Sequence, residues 1–177
     1  MTRRFRPTDA FVDESIRGRR YLMACVLIEA RQLTAVRQTV ERLGVSGSRV
    51  HFNNESRRQK VKVLDAIATM PVEAIAVICH RRHGVSEYNA RDICLGAIVG
   101  QLQARAVSRL VIESRQDDRD DEYASRQPQP RLVFEHRFGA HEPMLWVADA
   151  IAWAVGAGGP WSPRIKEVLS DAVELRP

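Results

Sequence analysis

An α/β fold is the class this sequence predicts: a mixed sheet, antiparallel at its N-terminal start and parallel afterwards, with helices on both faces. Three observations carry it. Residues 10–15 (AFVDES) and 21–28 (YLMACVLI) read as strands, and the five residues between them contain Gly18, which suits an antiparallel hairpin. Residues 72–114 read as strand, helix and strand, a crossover that implies parallel pairing. Residues 142–157 form a late helix that is almost wholly apolar, as a helix packed on a sheet should be.

The first strand begins apolar with Phe11 and Val12 and ends in acids, whereas the second is apolar throughout, as expected of a strand covered on both faces. Residues 29–43 set Leu33, Val36, Val40 and Leu43 at helical spacing before Gly44 stops the helix. A short extended piece at 50–52 precedes Ser56 and Gln59, spaced as a capping box that opens a helix ending near Pro71. Residues 72–79 (VEAIAVIC) are the most strand-like run and are expected centrally in the sheet. The helix over 87–108 carries Ala97, Gly100 and Ala104 on one face, small enough for close packing, and leads into the strand LVIES at 110–114. A polar stretch, 115–131, separates this from a last strand at 132–137. After the 142–157 helix, with Pro143 in its first turn, Gly158, Gly159 and Pro160 precede a closing helix expected to run to about Val173.

The 177 residues suit one domain over 1–177, long enough to bury a core without disulfides. With 45% hydrophobic and 28% charged residues, neither disorder nor a fibrous architecture is indicated. No apolar run approaches the roughly 20 residues that span a bilayer, and the basic start, Met1 to Pro7, lacks a signal peptide's apolar stretch. No membrane association is expected, and a cytoplasmic location is. Cys25, Cys79 and Cys94 sit singly in apolar segments, which predicts reduced buried thiols and argues against zinc. The net charge of +5 favours a polyanionic partner. Only three of the 27 basic residues are lysine, so genome composition accounts for that charge as well as selection for phosphate contacts does.

Chemistry points to carboxylates. Asp13 and Glu113 each end an apolar strand, and ligands of open α/β sheets sit at the carboxyl ends of strands. If the two strands lie side by side, the carboxylates share one space, where they repel unless a cation neutralises them. Asp149 lies within the apolar helix among Trp146, Ala148, Ile151 and Trp153, where an unpaired buried charge would cost several kcal/mol. Glu142, seven residues earlier, falls on the same helical face. Hard oxygen donors from separate elements are what Mg²⁺ or Mn²⁺ takes.

DES at 13–15, HF at 51–52, the IES strand ending in Glu113 and HEPMLWVADAIAWA at 141–154 together resemble a large bacterial family of unknown function with a ribonuclease-H-like fold. The resemblance spans nearly the whole chain. It implies a metal-dependent nuclease acting on DNA or RNA, with Asp13, Glu113 and Asp149 matching the metal-binding acids. In the two-metal mechanism so implied, His51 is a further catalytic candidate, for proton transfer or phosphate contact. Glu142 joins the three acids as a possible metal ligand. The chain departs from the family at Ile16, where a glycine often follows DES, which puts the turn geometry in question.

Plainer readings stand beside these. Asp13 to Ser15 also suit a polar strand end, Glu142 a partner for the helix dipole, His51 a structural histidine, and the acidic run at 117–122 a solvated loop or an extra ligand. Trp146 and Trp153 are expected in the core. The functional alternative is a catalytically inactive nucleic-acid-binding or regulatory module of the same fold. A phosphotransferase is disfavoured, because neither GxGxxG nor GxxxxGK[ST] occurs.

Overall fold

The computed structural model describes residues 5–44, 52–114 and 132–177. Strand β1 (Asp9–Arg17) and β2 (Arg20–Ile28) form the expected hairpin, paired from Asp9↔Ile28 to Arg17↔Arg20. Gly18 turns it at φ 58°, a left-handed conformation that a two-residue hairpin turn demands and that glycine adopts without strain. Ile16 continues the strand, paired with Tyr21.

Helix α1 (Ala30–Leu43) follows, then α2 (Arg57–Ile67), β3 (Val72–His80), α3 (Glu87–Ala104), β4 (Arg109–Glu113), β5 (Val133–Arg137), α4 (Pro143–Ala157) and β6 (Leu169–Leu175). Ser56 caps α2 by accepting the Gln59 N–H (3.2 Å), but Gln59 does not close the capping box. Its side chain instead donates to Leu43 O at 2.6 Å, satisfying a carbonyl at the end of α1.

The six strands lie in the order β5-β4-β1-β2-β3-β6, and every neighbouring pair is parallel except those made by β2. The β3-α3-β4 crossover therefore joins strands of the same direction, as expected, but the β1–β2 hairpin lies between them. β1 takes the place beside β4, with Phe11 against Val111 and Val12 against Ile112. β3 is one strand in from the edge, between β2 and β6.

The closing helix expected to reach Val173 is not formed. A short 3₁₀ turn, Ser162–Ile165, leads instead into β6, which pairs parallel with β3. Its burial alternates, with Leu169, Asp171, Val173 and Leu175 half-buried and Ser170, Ala172 and Glu174 exposed. That period of two fits a strand, and the backbone donors and acceptors along the β3 edge give it partners a helix could not use.

Alternation divides the sheet into two faces. Phe11, Val26 and Val111 join the core made with α1, α2 and α4; Val12, Tyr21, Val77 and Ile112 join the core under α3. Cys25, Cys79 and Cys94 are free, buried thiols, and burial pushes Cys25 and Cys94 up to about 12, which keeps them protonated and unreactive. None of the described helices is long and apolar enough to cross a membrane.

Candidate active site where β1 and β4 part

Asp13 has the same strand parity as Phe11, and Glu113 the same parity as Val111, so both carboxylates face α4. The β1–β4 register pairs Val12 with Ile112, which leaves Asp13 and Glu113 level at the end of the pairing. Glu14 turns the other way and meets Arg91 of α3 at 3.6 Å. Arg109 fixes β4 in this position, donating to Asp9 on β1 (2.9 Å) and to both carboxylate oxygens of Glu135 on β5 (2.8 and 2.9 Å).

Asp13 is 5% exposed and accepts the Glu14 N–H at 2.7 Å. Burial, followed by the charges of Glu113 and Asp149, holds its carboxyl well above the usual carboxylate range. A side-chain hydrogen bond with Glu113 acts in the same direction, and the Glu14 N–H opposes it. The third acid therefore reaches the pair from α4, whose half-buried Asp149 is oriented by the Phe52 N–H donating to its Oδ2 at 3.1 Å. Sequence reasoning picks out the HF pair for its histidine and misses that the phenylalanine backbone steadies Asp149. His51 itself lies outside the described residues, as does the acidic run at 117–122.

Glu142 is only 1% exposed, but its contacts lie elsewhere. Arg37 of α1 grips it through two hydrogen bonds, Nε to Oε1 at 2.9 Å and a terminal nitrogen to Oε2 at 2.5 Å, with Arg137 3.6 Å away. Its Oε1 also accepts the Met144 N–H (3.2 Å), capping α4. This matches the plainer reading of Glu142 at the helix N-terminus, and it is not among the groups that act on Asp13. Nothing in the sequence points to Arg37; no local pattern links residues 105 positions apart.

Among the described residues no three His, Cys, Asp or Glu side chains form a ready-made metal cage. Mg²⁺ does not need one, since it binds through one or two carboxylates and completes its octahedron with water and phosphate oxygens. The hard-oxygen donor set and the repulsion that lifts Asp13 both fit a divalent cation.

Compared with solved structures, the chain resembles RNase HII of Archaeoglobus fulgidus, solved in complex with PCNA. The TM-score is 0.58 at 16% identity, over 90% of this chain and 77% of that one. The chain has a ribonuclease-H-like fold. It also resembles Bst-RNase HIII, solved as a glutamine-to-alanine mutant (TM-score 0.53, 13% identity, 84% of this chain) and with Mn²⁺ (0.57, 12%, 85%). It spans about half the length of that protein, 51% and 52% in the two structures. No protein-family model and no curated protein matches the chain. The ribonuclease-H-like fold expected from the motifs thus has structural support at low identity, whereas the particular bacterial family rests on the motifs alone.

Asp13 also predicts how stability depends on pH in the absence of divalent metal. Its folded-state value is raised, so it contributes stability that is fully present below its unfolded value near 3.8 and is lost as pH rises through the folded value. Each unit of difference is worth about 1.4 kcal/mol. Urea unfolding in EDTA is expected to show stability falling with pH above about 4 more steeply in the parent than in Asp13→Asn. Parallel pH curves for the two proteins would remove the raised carboxyl.

Proposed function

We propose that this protein is a divalent-metal-dependent nuclease that hydrolyses phosphodiester bonds in DNA or RNA. The convergence of Asp13, Glu113 and Asp149 just past the last paired residues of β1 and β4 in a ribonuclease-H-like sheet carries the reading. Mn²⁺ bound to one of the similar ribonucleases H supports the choice of cofactor.

Asp13, Glu113 and Asp149 would hold Mg²⁺ or Mn²⁺, which when bound supplies a water of lowered pKa and offsets charge on the scissile phosphate. The chain's own groups prepare that site. The hydrogen bond between Asp13 and Glu113 favours the protonated Asp13 carboxyl, so cation binding there would compete with that proton. The Phe52 N–H fixes the rotamer of Asp149. Asp13 is the buried member, and the apolar core beside it strengthens the electrostatic coupling of its carboxyl to Glu113 and Asp149. His51 is retained as the candidate for proton transfer.

Incubating the protein with end-labelled single-stranded DNA, duplex DNA, RNA and an RNA–DNA hybrid tests the reading. Cleavage of at least one substrate, dependent on Mg²⁺ or Mn²⁺ and lost in Asp13→Asn, is expected. Binding without cleavage of any substrate, in either metal, would leave the inactive module as the better account.

A further inference from the structure

The positive charges of this chain are unevenly partnered. Arg31, Arg37, Arg91, Arg105, Arg109, Arg137 and Arg164 each meet a carboxylate. Arg17, Arg20, Arg57 and Lys60 meet none among the described residues, and three of them, Arg17, Arg57 and Lys60, gather around two indoles. Lys60 Nζ stands 4.4 Å from the centre of the Trp153 ring and the Arg17 guanidinium 5.3 Å from it; Arg57 lies 5.8 Å from Trp161. The two indoles meet edge to face at 5.1 Å. Arg20 donates to Gly156 O at 3.1 Å, and burial, together with the charge of Arg20, lowers the pKa of Arg17. Four cations held together with no acid partner among the described residues is an arrangement that self-repulsion disfavours and that a polyanion relieves.

Their position relative to the acids gives this meaning. Arg17 lies four residues beyond Asp13 on the same face of β1, about 13 Å along the strand. Trp153 lies one helical turn beyond Asp149 on α4. Phe52 joins the two regions, since its N–H donates to Asp149 while its ring meets Trp153 at 5.2 Å. The sequence predicts Trp146 and Trp153 both in the core. Trp146 is there, 7% exposed, and Trp153 packs against the same core half-buried, with the cations over it.

We infer that Arg17, Arg57 and Lys60, held on Trp153 and Trp161, and Arg20, anchored on the Gly156 carbonyl, form a platform that binds the phosphate backbone of a nucleic-acid strand a few nucleotides from the Asp13–Glu113–Asp149 cluster. The inference deepens the nuclease reading and rests on it for the direction of the strand, but the binding surface is testable without cleavage. Cation–π contact keeps the charged heads on the indoles at little entropic cost, so they meet phosphates already positioned. Gly156 is part of the device. A Cβ there would stand 2.6 Å from Arg17 Nε, so any larger residue would push the arginine out of this position against α4.

The test uses the full chain in EDTA with a fluorescein-labelled 20-nucleotide DNA strand and its RNA–DNA hybrid, titrated by anisotropy at several salt concentrations. Arg20→Gln/Lys60→Gln is expected to weaken binding about tenfold at 0.1 M salt. Removing two phosphate contacts should also reduce the slope of log K against log salt by roughly 1.4 to 1.8. Gly156→Ala, which deletes no charge and suits a helix, is expected to weaken binding several-fold by displacing Arg17. Unchanged affinity and salt slope in both variants would overturn the platform, as would a parent protein that binds neither probe at 0.05 M salt. Weakened binding in these variants, with a parent that cleaves nothing in Mg²⁺ or Mn²⁺, would uphold the platform and sink the nuclease reading alone.

Discussion

Glu113→Gln is expected to lower metal-stimulated cleavage by at least about 10³-fold, which corresponds to roughly 4 kcal/mol of barrier. The same change is expected to raise the melting temperature of the metal-free protein. The two effects share one cause. Glu113 is the largest charge acting on Asp13, and an amide of the same shape keeps a hydrogen bond to it while removing the repulsion. What destabilises the metal-free fold is, on the nuclease reading, what binds the cation. At a Mn²⁺ concentration 100-fold above Kd the parent should gain about 2.7 kcal/mol. For a chain of this size that is a rise of roughly 5 to 10 °C, and Glu113→Gln should gain less than half as much. Melting curves with EDTA and with Mn²⁺, run beside a gel assay of cleavage, separate the components. Equal Mn²⁺-induced shifts in the two proteins would remove Glu113 from any metal site.

Much of the route to that cluster is local and so is legible in the chain. The β1–β2 hairpin follows from Gly18, and the facing of Asp13 and Glu113 follows from alternation once Phe11 and Val111 are assigned to the core. Asp149 announces itself as a carboxylate in an apolar helix. The misses are of two kinds. β6 reads as a helix because Asp171 interrupts the alternating apolar face that Leu169, Val173 and Leu175 otherwise define; the β3 edge decides its conformation. The partners of Glu142 and Trp153 escape sequence reasoning because they are distant in the chain. Glu142 is claimed by Arg37, 105 residues away, and Trp153 by Lys60 and Arg17. Spacing along a helix says which side chains share a face, but not which charge from another element arrives there first.

The claim of Arg37 on Glu142 carries the other large expectation: Arg37→Met should cost about 3 kcal/mol of stability, the lower end of the range for breaking a buried pair. The two side chains differ sharply in exposure, 28% for Arg37 and 1% for Glu142. Removing the arginine therefore leaves the carboxylate in the core with the Met144 N–H and, at 3.6 Å, Arg137. Neither supplies the paired, charge-assisted geometry that Arg37 does. Glu142→Gln placed on the Arg37→Met background should recover at least half the loss, because a neutral amide still caps α4 and no longer carries a buried charge. Urea unfolding of the parent, both single variants and the double variant yields the coupling energy. A loss below about 1 kcal/mol for Arg37→Met would mean that the carboxylate is satisfied by Arg137 or by water, in keeping with a weak surface pair. If the larger value is found, the pair does more than stabilise. It ties α1 to the first turn of α4, and so sets the angle at which Asp149, two turns further along, meets the strand carboxylates.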